Sequence, residues 1–278
     1  TYKEMHEDVE KFAAGLLSLG IEKGDRVGVW SVNRYEWQVA WFALPRIGAI
    51  LIPMDHWYKP SEAQYILAHS DAAAVVTYRS VGKWSFLGML EEIRPKAPAL
   101  RHLVVVGAQD EGLPSGALDF QDVLRMGEGW EGDKDYLRAL EAVDPHDVSF
   151  ILYTSGTTGK PKGVMLSHHQ IIKNAYDQGE VLRTTHRDCL LVQVPFSHAF
   201  GCVMSITLAA NFGASLVPIL AFDPKKALEL VERHGCTIMH GVPTMFIREL
   251  EELRSSGLDV STLRTGIMAG APCPVDVM

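Results

Sequence analysis

The interpretation of the chain starts from residues 153–163, which read Tyr-Thr-Ser-Gly-Thr-Thr-Gly-Lys-Pro-Lys-Gly. Glycines allow a loop to take unusual backbone angles and bring its N–H groups close to a ligand. Successive N–H groups then form a concave site for anions, to which Lys160 and Lys162 add positive charge. The preceding residues 148–152 are an apolar run typical of a buried strand. These features predict a polyphosphate-binding loop at the end of a strand, where α/β proteins usually bind ligands.

Two other interpretations of this stretch fit less well. A Walker A loop needs wider glycine spacing than that of Gly156 and Gly159, and it has a hydroxyl residue where Pro161 stands. A solvated linker would explain the Ser, Thr and Gly content, but not the two lysines and the apolar runs on either side. We therefore expect a phosphate loop of a different kind.

Composition excludes several classes of protein. The 278 residues carry a net charge of -8, with no basic cluster of the kind that binds nucleic acid. The four cysteines contain no Cys-x-x-Cys pair, so reduced thiols in a cytoplasmic protein are expected. Residues 189–222 lack charged side chains, but Pro195, Gly213 and Pro218 interrupt them. This pattern indicates a buried β-α-β unit rather than a membrane span. Peripheral membrane contact and the oligomeric state stay open.

Alternating apolar strands and amphipathic helices predict an α/β fold with mainly parallel sheets. Helix starts are expected at Thr1-x-x-Glu4, at Asn33-x-x-Glu36 and at Asp223-Pro224, because each pattern supplies an N-cap residue. The helical spacing of Trp37 and Trp41 assigns these rings to the core rather than to a stacking surface for a ligand.

The 153–163 stretch resembles the AMP-binding signature of the adenylate-forming superfamily, and the chain as a whole looks most like fatty-acyl-CoA synthetases. The resemblance implies two stacked, mainly parallel sheets with flanking helices, forming an incomplete large N-terminal domain. It suggests subdomains 28–187 and 188–278, with residues 1–27 packing on the latter. Family members continue with a small C-terminal domain that is absent here, so this fragment alone is expected to be inactive.

The resemblance also implies roles for individual residues. ATP phosphates would be bound by Thr154, Ser155, Gly156, Thr157, Thr158, Gly159, Lys160 and Lys162. The acyl group and adenylate would be bordered by His198, Gly270, Ala271 and Pro272, and less specifically by residues 241–244. Without the resemblance, His198 would be interpreted as a structural histidine between two phenylalanines, and residues 270–272 as a turn.

The implied reaction is ATP-dependent activation of a carboxylic acid, with a fatty acid as the expected substrate, followed by transfer to coenzyme A. Mg²⁺ is implied as well, but the carboxylate that binds it in relatives lies in a Tyr-Gly-x-Thr-Glu stretch that would follow Met278. No catalytic or metal-binding residue is therefore assigned to this chain. An amino-acid-activating domain of a peptide synthetase and a non-catalytic nucleotide-binding module are the alternatives. The absence of acidic residues from 189–222 favours an uncharged acyl substrate.

Overall fold

A computed structural model describes residues 1–82, 84–107, 112–154 and 160–277, without the side chain of Trp84. The α-helices are α1 (Tyr2–Ser18), α2 (Tyr35–Arg46), α3 (Pro60–His69), α4 (Phe86–Ile93), α5 (Phe120–Met126), α6 (Lys134–Glu141), α7 (His168–Val181), α8 (Ala199–Gly201), α9 (Leu208–Phe212), α10 (Pro224–His234) and α11 (Pro243–Ser256). Short 3₁₀ helices span Arg94–Lys96 and Trp130–Gly132, and a π-helix spans Cys202–Thr207.

The strands are β1 (Arg26–Trp30), β2 (Ile50–Met54), β3 (Ala72–Tyr78), β4 (Ser80–Val81), β5 (Trp84–Ser85), β6 (His102–Val106), β7 (Ala117–Asp119), β8 (Val148–Thr154), β9 (Lys162–Ser167), β10 (Cys189–Val192), β11 (Ser215–Pro218), β12 (Ile238–Gly241) and β13 (Thr265–Met268). The chain divides into two compact units, Thr1–His169 and Gln170–Met278. The mainly parallel α/β class expected from the sequence is confirmed.

In the described part of the first unit, seven strands form a sheet in the order β7-β6-β3-β1-β2-β8-β9. Its pairs are parallel except the last, in which β9 runs antiparallel to β8. The apolar run Ala72–Tyr78 suits a strand that is covered on both faces, and all of its residues except Tyr78 are buried. Trp37 and Trp41 on α2 stack on each other and are buried, which confirms their assignment to the core.

The first helix belongs to this unit. Thr1 and Glu4 form the expected capping box, in which the Thr1 hydroxyl accepts from the Glu4 N–H. Phe12 on α1 stacks on Phe120 of α5, with ring centroids 4.3 Å apart. Residues 1–27 therefore lie within the first unit, and their expected packing on the later subdomain stays a prediction. The first unit ends at residue 169, and the expected subdomain bounds 28–187 and 188–278 stay a prediction.

The second unit contains, in its described residues, a four-stranded parallel sheet in the order β11-β10-β12-β13. One buried carboxylate joins the amino ends of three of these strands. Asp188, which is 5% exposed, lies just before β10. It accepts hydrogen bonds from Thr237 Oγ1 (2.6 Å), which precedes β12, and from Arg264 Nε and Nη2 (2.8 and 2.7 Å), which precede β13. The amino end of the sheet is thereby fixed by charge-assisted hydrogen bonds.

The electrostatics of Asp188 follow from these partners. Burial alone raises the pKa of its carboxyl, but the hydrogen bonds from Arg264, Thr237 and the Thr185 N–H outweigh burial. The net effect lowers the pKa of Asp188 well below its ordinary value of 3.8. The carboxylate is therefore ionised in the folded unit at every pH at which the protein would be studied.

Helix boundaries in this unit follow local sequence signals. Asp223 caps α10 as expected, since its carboxylate accepts from the Lys226 N–H at 2.7 Å. Gly213 ends α9 and Gly235 ends α10, both with positive φ, a conformation that glycine adopts without steric cost. No described helix is both long and apolar enough to cross a membrane.

Candidate functional site

The predicted phosphate loop lies in the sequence between β8 and β9, which pair with each other antiparallel. Thr154, the last residue of β8, is the Cα partner of Lys162, the first residue of β9. Thr154, Lys160 and Lys162 are all exposed. The predicted ligands Ser155, Gly156, Thr157, Thr158 and Gly159 lie outside the described residues. Both ends of the loop are therefore fixed by the sheet, and two lysines emerge at its exit.

Helix α3 supports the exit of the loop through two ring side chains. The Tyr65 hydroxyl donates to the Pro161 carbonyl at 3.1 Å, and its ring lies 5.9 Å from Lys160 Nζ. The His69 ring stacks on Tyr65, and its Nδ1 shares a 2.8 Å hydrogen bond with the Tyr153 hydroxyl of β8. Burial raises the pKa of Tyr153, so this phenol stays neutral. A connected set of side chains thus joins β8, α3 and the loop exit.

Close pairing of the hairpin depends on the glycine that follows Lys162. A Cβ at Gly163 would lie 2.7 Å from Ile151 Cγ2 on the paired strand. That separation is shorter than any ordinary contact between carbon atoms. The glycine in the sequence motif therefore allows β9 to approach β8 closely next to the loop.

In the second unit, the predicted acyl-site residues follow the carboxyl ends of parallel strands. His198 comes after β10, is exposed, and caps α8, with its Nδ1 accepting from the Phe200 N–H at 3.2 Å. Gly270, Ala271 and Pro272 come after β13 and are also exposed. Since β10, β12 and β13 are parallel, the structure brings these groups to one edge of the sheet. This is the edge at which ligands usually bind.

Two glycines shape this edge. Gly270 has φ +88, and a Cβ there would lie 3.2 Å from Val242 of the turn after β12. A Cβ at Gly201 would lie 2.2 Å from the Pro195 carbonyl oxygen. The first glycine therefore permits a left-handed turn beside Val242. The second permits the short helix α8 to pack directly on the segment that precedes it.

His240, which the sequence analysis did not select, connects the sheet to the π-helix. It is 1% exposed, and its ring stacks on Phe200 with centroids 5.5 Å apart. Its Nδ1 accepts from the Ile267 N–H at 3.2 Å, so the ring proton is on Nε2 and is donated to the Met204 carbonyl at 3.1 Å. Burial lowers the pKa of His240 to about 4, so the ring is neutral. It positions the segment that carries Phe200.

Gln193 and Glu249, also not selected from the sequence, place buried polar groups near the same edge. Each is 3% exposed. Gln193 directly follows β10, and its Nε2 lies 2.8 Å from where a Cβ of Gly241 would stand. Glu249 lies three residues after Phe246 and four before Leu253 on α11. This spacing puts Glu249 on the same face of the helix as these two apolar residues. The sequence pattern could therefore have indicated that its carboxyl is buried.

Burial raises the pKa of Glu249 to about 7, and the nearby Gln193 amide opposes part of that rise. Because the folded state holds the proton more tightly than the unfolded chain, stability should fall as the pH rises from 4.5 through 7. Relative to Glu249→Gln, we expect the unsubstituted chain to lose about 3 kcal/mol between pH 5 and pH 8. Denaturant unfolding of both proteins at the two pH values measures this.

Glu251→Gln is the matched control, because Glu251 is exposed on the same helix. It should leave the difference between the two pH values unchanged. If Glu249→Gln also leaves that difference unchanged, the carboxyl of Glu249 is ionised in the folded state throughout this range.

The described residues contain no group of three or more His, Cys, Asp or Glu side chains arranged to hold a metal ion. These side chains therefore form no ready-made cage for Mg²⁺, an ion that proteins usually hold with one or two carboxylates together with substrate phosphates.

Comparison with known proteins agrees with this geometry. The family model described as AMP-binding enzyme matches residues 1–278. The chain is 38% identical to the putative acyl-CoA synthetase YngI of Bacillus subtilis (strain 168), covering 100% of this chain and 52% of that protein. It is 34% identical to the medium-chain acyl-CoA ligase ACSF2, mitochondrial, of Danio rerio, covering 100% of this chain and 48% of that protein.

A solved structure shows the same fold. The anthranilate CoA ligase AuaEII in complex with anthranoyl-AMP superposes with a TM-score of 0.87 at 26% identity, covering 100% of this chain and 51% of that one. The chain thus spans about half the length of the curated relatives it matches. The recognition of the superfamily from residues 153–163 is confirmed, and the chain belongs to the AMP-binding enzyme family.

Proposed function

We propose that the whole protein containing this chain activates a carboxylic acid with ATP and transfers the acyl group to coenzyme A. The observation that carries this proposal is membership of the AMP-binding enzyme family together with relatives named as acyl-CoA synthetases and ligases. In the first step, the substrate carboxylate attacks the α-phosphorus of ATP, and pyrophosphate leaves. In the second, the thiol of coenzyme A attacks the acyl carbon, and AMP leaves. The protein would therefore be an acid–thiol ligase.

The loop residues have an electrostatic role in this proposal. Pyrophosphate carries growing negative charge as it leaves, and donors already fixed in place stabilise such charge without reorganising. We infer that residues 154–159 bind phosphate oxygens and that Lys160 and Lys162 offset their charge. The contacts of Tyr65 with Pro161 and Lys160 support this role, because they restrict the loop exit before a ligand arrives. Restricting the loop in advance lowers the entropy cost of binding.

The acyl-site assignments remain proposals for His198, Gly270, Ala271 and Pro272. Their position at the carboxyl edge of the second sheet supports a role in bordering the acyl group and adenylate. Mg²⁺ would assist the phosphates, and the described residues contain no cluster of three or more His, Cys, Asp or Glu side chains that would hold it. The partners we propose are a small carboxylic acid, ATP and coenzyme A, in a cytoplasmic protein.

The substrate is expected to be an uncharged acyl chain, favouring a fatty acid. The segment after β10 is apolar, with Phe196, Phe200 and Val203 buried, and burial of an alkyl chain contributes about 0.8 kcal/mol per methylene. ATP–pyrophosphate exchange by the whole protein should therefore be fastest with a member of a fatty or aryl acid panel. Faster exchange with an amino acid than with every fatty and aryl acid would contradict this expectation.

One structural observation is a reason to include amino acids among the tested substrates. Glu249 is a buried carboxyl in the second unit, outside the acid-free segment 189–222, and an ammonium group could pair with it. If amino acids are activated, their exchange should be lost in Glu249→Gln. If no acid of any class supports exchange while ATP still binds, the chain is a nucleotide-binding module without turnover.

A further inference from the structure

Gln193 and Glu249 together present four polar atoms that lack hydrogen-bond partners. Neither amide atom of Gln193 nor either carboxyl oxygen of Glu249 makes a hydrogen bond of ordinary geometry with a described residue, although the Gln193 amide lies near enough to lower the pKa of the Glu249 carboxyl. Both side chains are nine-tenths or more buried. A buried polar group without a partner is strongly unfavourable, and native proteins retain few of them. Four such atoms in one place therefore call for a polar group that is not part of the described chain.

The position of the pair indicates what that group belongs to. Gln193 immediately follows β10 and precedes the Pro195–Gly201 segment that contains His198. Its amide lies against Gly241, at the carboxyl end of β12, where the absent side chain of glycine leaves room for it. The polar atoms are therefore beside the carboxyl edge of the second sheet, where the acyl site is proposed. The pair therefore lies next to the edge at which the acyl group is proposed to bind.

We propose that Gln193 and Glu249 form a subsite for a hydroxyl group on the acyl chain, so that the preferred substrate is a hydroxylated carboxylic acid. This inference rests on the proposed acid-activating function. A hydroxyl both donates and accepts, so one group can accept from Gln193 Nε2 and donate to a Glu249 oxygen. An unsubstituted alkyl chain would leave all four atoms without partners. An ammonium group only donates and would leave the Gln193 N–H groups unpaired.

The test uses the whole protein, with octanoic acid and a series of its monohydroxylated analogues as substrates for ATP–pyrophosphate exchange. For at least one hydroxyl position, kcat/KM should exceed that for octanoic acid by about tenfold or more, because a site built to bind a hydroxyl rejects the analogue that lacks it. Gln193→Leu and Glu249→Met should each reduce this preference to near unity. Each should also raise the rate with octanoic acid, since the unpaired polar atoms are removed.

Glu251→Met is the matched control, because it makes the same chemical change at an exposed position of α11. It should leave the hydroxyl preference as it is. If Glu249→Met does not fold, Gln193→Leu decides the question alone, since it introduces no charge change.

The outcomes separate the two proposals. No exchange with any acid would overturn the proposed function itself. Exchange without a hydroxyl preference, or with a preference that neither variant changes, would overturn the subsite and leave the function standing. In that case buried water molecules are the hydrogen-bond partners of the four atoms. A preference for an amino acid that Glu249→Met abolishes would likewise overturn the hydroxyl assignment, because it would identify an ammonium as the occupant.

Discussion

Lys160→Ala or Lys162→Ala in the whole protein should slow acid-dependent ATP–pyrophosphate exchange by about 100-fold to 1000-fold. Removing one preorganised donor from a site of developing negative charge typically raises the barrier by about 3–4 kcal/mol. Both lysines are exposed at the exit of the hairpin loop and pack against no core, so the substitutions should not unfold the chain. The expected effect is therefore on the rate of exchange rather than on stability. Thermal unfolding of each variant checks that stability is unchanged.

Lys173→Ala provides the control for charge. Lys173 is exposed on α7, where it pairs with Asp177 in the next turn. Its removal changes the net charge equally but should leave exchange near the original rate. Unchanged exchange in both loop variants would remove the phosphate-binding assignment of Lys160 and Lys162, even if the enzyme proves to activate acids.

Arg264→Leu should destabilise the second unit by about 3 kcal/mol. Breaking a buried ion pair leaves the other charge without compensation, at a typical cost of about 3–5 kcal/mol. The lower end is expected here because the Arg264 side chain is 38% exposed, whereas that of Asp188 is 5% exposed. Denaturant unfolding measures the loss of stability, and hydrogen exchange of the amides in β10, β12 and β13 locates it in the second sheet.

Lowering the pH should also destabilise the second unit of the unsubstituted chain. Since the folded pKa of Asp188 lies below its ordinary value, the stabilisation is present above pH 3.8 and is lost as the pH falls below it. Arg138→Leu is the control, because Arg138 pairs with Asp135 across an exposed helical turn and exposed pairs contribute little. If Arg264→Leu unfolds no more easily than this control, Asp188 is stabilised by its remaining hydrogen bonds alone.

The features that sequence predicted well depend on local chemistry. The capping box of Thr1 and Glu4 and the Asp223 cap need only neighbouring residues, and the structure contains both. The parallel class follows from strands that alternate with helices, a pattern visible along the chain. The recognition of the family depends on a short, unusual combination of hydroxyls, glycines and lysines that few other structures require.

The features that sequence did not predict depend on distant contacts or on single-residue register. Arg34, rather than Asn33, precedes the first helical residue of α2 and makes no side-chain capping hydrogen bond, so the expected start at Asn33 is wrong by one position. The helical part of the expected β-α-β unit includes the π-helix Cys202–Thr207, which no sequence pattern indicated. The roles of His240, Gln193 and Glu249 arise from partners far along the chain, and an isolated histidine, glutamine or glutamate carries no signal of them.

Because of the π-helix, the orientation of side chains in this segment depends on the exact number of residues that it contains. A π-helix holds more residues per turn than an α-helix, so it is related to a regular helix by the insertion of one residue. The hydroxyls of Ser205 and Thr207 each bond to a carbonyl five residues back, which matches this wider turn. Deleting a single residue here would restore the α-helical repeat and rotate the preceding side chains by about 100°. A homologue that differs by one residue in this helix would thus present different side chains next to the proposed acyl site, so that insertion or deletion, as well as substitution, is a route to altered specificity.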